Sequence, residues 1–355
     1  MLSAPKFLFV PVSSEVGIGE YMRSRIIADE VRRRWPESQI SFVLNRQAPY
    51  AESCPYSTYL MDDTPTKKIK EVNQLISELK PDVIVFDAAG RKAQLKHAYK
   101  LGAKVVFISQ HKRKRARGMK IERALATDSH WVVQPEFVIG EISRFDRLKL
   151  GLINGTVPQF TGPIFTHPSV EVQESLYRKY RLKAGQFLLY SAGSGGHSIK
   201  GALAADLFAD VAQAIYRETG IPSLMVFGPN YPNSLPEMEG VIAIEQLTND
   251  EFINLLDGAK AAVLSGGDTL LQAIALNTPT LAVAVSKDQP ERIKKCLMQA
   301  VVLSCSTNFD EMLNTGLSLI EEKTTRRLKA KMGRCSSLNG LDLAMAELER
   351  LISLT

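Results

Sequence analysis

Three glycine-bearing loops carry the residues best placed to do chemistry. The most distinctive is Ser265-Gly266-Gly267-Asp268-Thr269, which follows the apolar run 261–264 and precedes a helix-like stretch, 270–276. A strand that enters a helix through Ser-Gly-Gly leaves backbone amides free at the helix N-terminus, where a diphosphate is favoured. Asp268 and Thr269 can also cap that helix. Gln272 falls one turn further on, at ribose distance. Asn277-Thr278-Pro279 stops the helix, and the next apolar run, 280–285, ends at Ser286-Lys287-Asp288-Gln289. The carboxylate of Asp288 and the amide of Gln289 suit the hydroxyls of a sugar.

The second loop is Ser191-Ala192-Gly193-Ser194-Gly195-Gly196-His197-Ser198. It follows the run 187–190 and precedes an amphipathic stretch marked by Leu207, Val211 and Ile215, one helical face. Three glycines and three hydroxyls at a strand-to-helix turn suit a phosphate cradle. No Gly-Lys-Ser/Thr follows, so it is not a Walker loop. His197 reads either as a ligand contact or as a surface histidine.

The third loop, Pro11 to Glu20, joins the first apolar run to the first helix. Gly17 and Gly19 permit a tight turn and close backbone approach. Glu20 either complements the positive end of that helix or acts as a general base. Asp87, after the run 83–86, is a second acid, an orienting group or a loop cap.

The elements that must position these loops alternate. Strand-like runs at 7–10, 40–44, 82–86 and 104–108 form a first series. Runs at 187–190, 223–227, 241–244, 261–264, 280–285 and 300–303 form a second, with helical stretches between them. That rhythm predicts an α/β chain with parallel sheets covered on both faces. The segment 154–174, with Pro158, Gly162, Pro163 and Pro168, reads as a linker. With 355 residues, two domains are expected. They are an N-terminal acceptor-side domain over 1–160 and a donor domain over 161–337. A C-terminal helix, 338–355, is expected to pack back toward the first domain. Each half reads as a doubly wound Rossmann-like sheet, the two facing across a cleft, with ligands at the carboxyl ends of the strands.

No apolar run approaches the length of a membrane span, and no secretory leader is legible, so a cytoplasmic location is expected. Cys54, Cys296, Cys305 and Cys335 are widely spaced and form neither a zinc motif nor a disulfide framework. The net charge of +6 suits an anionic partner. Lys112, Arg113, Lys114, Arg115 and Arg117 form one dense run. It reads as a solvated face, or as a contact for an anionic membrane or a phosphorylated acceptor. No nucleic-acid module surrounds it.

The segment from Ser265 to Gln289 resembles the donor-binding half of GT-B-fold glycosyltransferases. It is most similar to the type that adds N-acetylglucosamine to the lipid-linked peptidoglycan precursor. Gly267, Thr269, Ala273, Pro279, Asp288 and Gln289 match that pattern. Gln272 stands where a ribose-binding Glu is usual, and Asn277 where Gly is usual. The Gly193–Gly196 loop is similar to the family's second phosphate-facing loop. Phe227-Gly228 ends a strand in the same manner, and Gln246-Leu247 falls where backbone atoms read a uracil or thymine edge. Gly162-Pro163-Ile164 resembles the interdomain segment. The first loop is similar to that of the nucleotide-sugar hydrolase of the pseudaminic acid pathway, which reads Gly-x-Gly-His-x-x-Arg with a catalytic His. Here it reads Gly17-Ile18-Gly19-Glu20-Tyr21-Met22-Arg23, with Glu20 in place of the His.

The resemblance implies an inverting, metal-independent transfer from a UDP- or TDP-linked sugar, with Glu20 as base and no cofactor. The acceptor is left open, as an anionic or lipid-linked molecule reached in solution or at a membrane surface. Hydrolysis of the nucleotide sugar is the first alternative. A non-catalytic nucleotide-sugar-binding protein, kept open by Gln272, is the second.

Overall fold

The structure is a computed structural model that describes residues 4–14, 18–199, 201–335 and 338–353. The chain divides into two compact units, Met1–Ile164 with Gly340–Thr355, and Phe165–Asn339.

The first unit is built on seven strands: β1 (Lys6–Pro11), β2 (Gln39–Asn45), β3 (Ser57–Met61), β4 (Val83–Asp87), β5 (Lys104–Ser109), β6 (Ser129–Val132) and β7 (Gln159–Phe160). Their order is β3-β2-β1-β4-β5-β6-β7, with every neighbouring pair parallel. Residues along a strand alternate between faces. Phe7 and Phe9 of β1 therefore enter one apolar cluster and Leu8 and Val10 the other. Helices Gly19–Arg34 and Gly340–Ile352 cover the first face, and Ile69–Leu79 and Lys92–Lys100 the second. A strand apolar on both faces can persist only in such a doubly covered parallel sheet.

The second unit holds β8 (Leu188–Ser191), a short antiparallel hairpin of β9 (Ser198–Ile199) and β10 (Ala202–Leu203), then β11 (Ser223–Val226), β12 (Val241–Ile244), β13 (Ala261–Ser265), β14 (Thr280–Val283) and β15 (Leu303–Cys305). The main sheet is parallel, in the order β12-β11-β8-β13-β14-β15.

Both strand orders reverse at one place, β1/β4 in the first unit and β8/β13 in the second. Open α/β sheets bind ligands at such switch points. In-register pairing sets Pro11 beside Asp87, Leu264 beside Ser191, and Ser265 beside Val283. All three sequence loops thus leave the carboxyl ends of switch-point strands.

In the first unit three strands escape the sequence pattern. β3 is an edge strand in which only Met61 is buried, β6 contains two polar residues, and β7 has two residues. The expected linker over 154–174 is also more structured than its prolines suggest. It contains β7 and the start of helix Val170–Tyr180, and Ile164 and Phe165 are buried.

Candidate functional site

In the second unit the Ser265–Gly267 turn leads into helix Asp268–Ala275. The turn is held from behind. Gln289 is buried, and its Oε1 accepts from the amides of Gly266 at 3.1 Å and Val285 at 2.9 Å. Gln289, expected to read a sugar, uses its Oε1 to join the β13 and β14 loops. Gly266 has no room for a side chain, since a Cβ would stand 2.8 Å from that of Gln289 and 2.9 Å from Ile293. Arg292 donates to the Gly266 carbonyl at 2.7 Å and lies 3.4 Å from exposed Asp268.

The Gly193–Gly196 loop adjoins this turn. A Cβ on Gly193 would sit 3.4 Å from Ser265 Oγ and 3.9 Å from the His197 ring. Gly193 and Gly195 take φ of +93° and +90°, which favour glycine. A Cβ on Gly195 would meet the Phe227 carbonyl at 2.3 Å, and one on Gly228 would meet the Ser194 carbon at 2.4 Å. The glycines let this loop and the end of β11 interlock. Ser191 Oγ accepts from the Gly193 amide at 3.3 Å, and the Ser194 carbonyl accepts from Asn230 N at 2.8 Å. The loop does not run straight into a helix, as its composition implies. The β9–β10 hairpin intervenes and helix Ala204–Thr219 starts later, its first amide bound to the His197 carbonyl at 2.9 Å.

Asp288 is exposed and accepts from Ser286 Oγ at 2.6 Å. That hydrogen bond, with the charges of Arg292 and His197, holds its carboxyl below the ordinary aspartate range. Thr269 is partly exposed beside Gly267. Gln246 is exposed after β12, and Leu247 packs against the core behind it. Gln272, on the helix after the turn, has a buried Oε1 with no hydrogen-bond partner. Buried acceptors are rarely left so, and each is a demand for a donor. Asn277 takes φ of +57°, which asparagine tolerates better than most residues, so the helix still closes without the usual glycine. Arg292 was not found from sequence. Its signal was slight: a cation one turn past Asp288, on the helix Gln289–Met298.

In the first unit Glu20 lies in the first turn of helix Gly19–Arg34. It is mostly buried, accepts from Gln110 Nε2 at 3.0 Å and lies 3.9 Å from Lys114 Nζ. Gly19 is exposed with open space around it, whereas Gly17 lies outside the described residues. Asp87 is fully buried and clamped by Arg23, Nε at 2.8 Å and Nη2 at 2.7 Å. Burial drives its carboxyl above the ordinary value, against the pull of Arg23. Both Asp87 oxygens thus accept from Arg23. Arg23 is correspondingly buried.

The basic run forms the helix Lys112–Gly118. Arg115 departs from the expected surface role. It is buried, donates to the Gly140 carbonyl and to the Glu141 carbonyl at 3.1 Å, and lies over Phe160 at 5.4 Å. One residue per helical turn must face the core, and here it is an arginine whose donors find carbonyls. Lys112, Arg113 and Arg117 are exposed. Nearby, helix Arg144–Leu152 buries Leu150 with Met119, Ala124 and Ile142 while Phe145, Leu148 and Leu152 are 74%, 64% and 78% exposed. Their spacing puts all three on one face.

No protein-family profile and no curated protein sequence matches the chain. Solved structures do. The calicheamicin glycosyltransferase CalG4 superposes with a TM-score of 0.62 at 14% identity, covering 99% of both chains. MurG of Acinetobacter baumannii gives 0.61 at 10% identity, over 98% of this chain and 99% of that one. A putative UDP-N-acetylglucosamine 2-epimerase of Listeria monocytogenes gives 0.62 at 12%, over 99% and 98%. Likeness over whole chains at such low identity speaks for the fold alone, and by that measure the chain has the GT-B fold of two Rossmann-like units.

Proposed function

We propose that the protein is an inverting glycosyltransferase that takes its sugar from a nucleoside diphosphate donor, UDP- or TDP-linked. The observation that carries this reading is the orphaned Gln272 Oε1 one turn beyond two adjoining glycine loops, with Arg292 and His197 beside them. The loop amides and Arg292 meet the charge of the leaving diphosphate, without calling on a metal. A ribose hydroxyl supplies the donor that Gln272 lacks. The acceptor hydroxyl oxygen bonds to the anomeric carbon as the bond to the diphosphate oxygen breaks, and its proton passes to Glu20. Arg23 and Asp87 hold the first turn of the Glu20 helix against β4. Structures that share the fold include a putative epimerase as well as transferases, so the fate of the sugar rests on residues rather than on fold.

Contact with an anionic membrane belongs to this proposal, carried by Lys112, Arg113 and the exposed face of helix Arg144–Leu152 rather than by Arg115.

The test is a thermal-shift series with UDP, TDP, GDP and CMP and their sugars. A pyrimidine diphosphate at a hundred times its Kd is expected to add about 2.7 kcal/mol to stability. No shift with any nucleotide sinks the donor reading. The preferred sugar nucleotide, left with the protein in water, is expected to stay intact, and rapid release of free sugar would make the protein a hydrolase.

A further inference from the structure

We infer that the first unit carries a phosphate-binding pocket for the acceptor, built from Arg91, Lys114, Arg117 and Arg123 at the carboxyl ends of β4 and β5. This rests on the transferase reading and adds the chemical class of the second substrate, a phosphate or diphosphate ester.

The pocket has a volume of about 180 Å³, and besides the four cations it is lined by Val12, Thr66, Ala88, Ala89, Gly90 and Phe107. No carboxylate lines it, and among the described residues none pairs with Arg91, Arg117 or Arg123. Glu122, next to Arg123 in sequence, is taken by Lys92 at 2.8 Å and Lys96 at 3.7 Å. Arg123 is 8% exposed and donates to the Gly90 carbonyl at 2.8 Å. Burial, then the charges of Arg117 and Arg91, pull its guanidinium below the ordinary value. Three guanidinium groups and an ammonium around one small cavity repel one another, and among the described residues only Lys114 has a carboxylate at ion-pair distance, Glu20 at 3.9 Å.

The wall is rigid. Ala88 and Gly90 take φ of +53° and +81°, and a Cβ on Gly90 would press on Phe86 at 3.1 Å and Leu95 at 3.2 Å. Gln94 Oε1 accepts from Arg91 N at 2.7 Å, while its Nε2 donates to the Pro65 carbonyl at 2.8 Å. Arg91 Nε donates to the carbonyl of Thr66, another lining residue, at 3.0 Å. Arg91 also opens helix Lys92–Lys100, whose first turn has no acid. Planar guanidinium groups converging from separate elements match phosphate oxygens. Lys114 ties the pocket to the candidate base, since its ammonium also lies 3.9 Å from Glu20. A phosphate in the pocket competes with Glu20 for that ammonium.

Calorimetric titration of inorganic pyrophosphate into the full chain tests this. The double variant Arg91→Gln/Arg117→Gln, which leaves buried Arg123 in place to protect folding, is expected to bind at least ten times more weakly. UDP titrated into the same two proteins is expected to bind both equally. Pyrophosphate binding unchanged in the double variant, or absent in the unaltered protein, overturns the proposal. Failure of UDP to bind either protein counts against the donor reading alone. Vesicles of phosphatidylglycerol separate the sources of phosphate. Capture that weakens in step with pyrophosphate binding marks a lipid phosphate as ligand, and unchanged capture marks a soluble one.

Discussion

Glu20 and Gln272 are single side chains whose surroundings make opposite demands. Glu20 is supplied with one donor and one nearby cation, and keeps lone pairs for a substrate proton. Glu20→Gln preserves shape and the Gln110 contact but cannot take a proton. Turnover is expected to fall by a factor of about 100 or more, with nucleotide affinity unchanged, as measured by product formation and calorimetry on one preparation. Gln272 holds a buried acceptor without a donor. Gln272→Met removes that acceptor at similar volume, so the free protein is expected to melt no lower than before. Nucleotide affinity is expected to drop by about 1 kcal/mol, the loss of one hydrogen bond. A variant that binds nucleotide as well as the original would show that no ribose meets Gln272.

At the scale of elements, the donor loop depends on a backbone that side chains forbid. Gly195→Ala places a methyl against the Phe227 carbonyl at a φ of +90°, while Gly196 has only Asn230 within contact, at 3.4 Å. Gly195→Ala is expected to cost about 1–3 kcal/mol in stability and to abolish nucleotide binding. Gly196→Ala is expected to be mild in both, and comparison of the two by thermal melting and titration checks the loop geometry. Helix Arg144–Leu152 is set by Ser143, whose Oγ accepts from Asp146 N at 3.0 Å, and by Leu150 beneath it. Its outer face of Phe145, Leu148 and Leu152 is flanked by exposed Arg144 and Arg147. Sedimentation with phosphatidylglycerol vesicles is expected to capture the protein. Phe145→Ser with Leu148→Ser is expected to release it without lowering the melting temperature. Equal capture of both proteins would remove that face from any membrane role.

Over the whole molecule, acid stability should report on a group with no part in the proposed chemistry. His130 is buried on β6, with Ser109 Oγ 2.9 Å from its Nε2, and burial pushes its pKa down to about 3. The unfolded chain takes up a proton on this ring near pH 6.5, whereas the folded protein does not until about pH 3. Its contribution is therefore complete above pH 6.5 and is lost as the pH falls toward 3, on the order of a few kcal/mol in all. His130→Gln is expected to flatten the fall in denaturation midpoint across that window. No helix of the described residues is long and apolar enough to cross a membrane.

The alternation of apolar runs was enough to determine the α/β class and most strands, because a parallel strand covered on both faces must be apolar at nearly every position. The same runs could not reveal β3, β6 or β7, whose burial is partial or whose length is too short to leave a pattern. The glycine loops were legible as loops, since positive φ and close backbone approach leave glycine little competition. Strand order was not legible, yet it alone set Ser191 beside Leu264 and Pro11 beside Asp87 at the two switch points. Asp87, Gln289 and Arg115 show the further limit. Each looks available in sequence, and tertiary contacts commit each one: to Arg23, to two backbone amides, and to two carbonyls. Residue type and spacing say which chemistry a side chain can do. Its partners, brought from distant parts of the chain, decide whether it is free to do it.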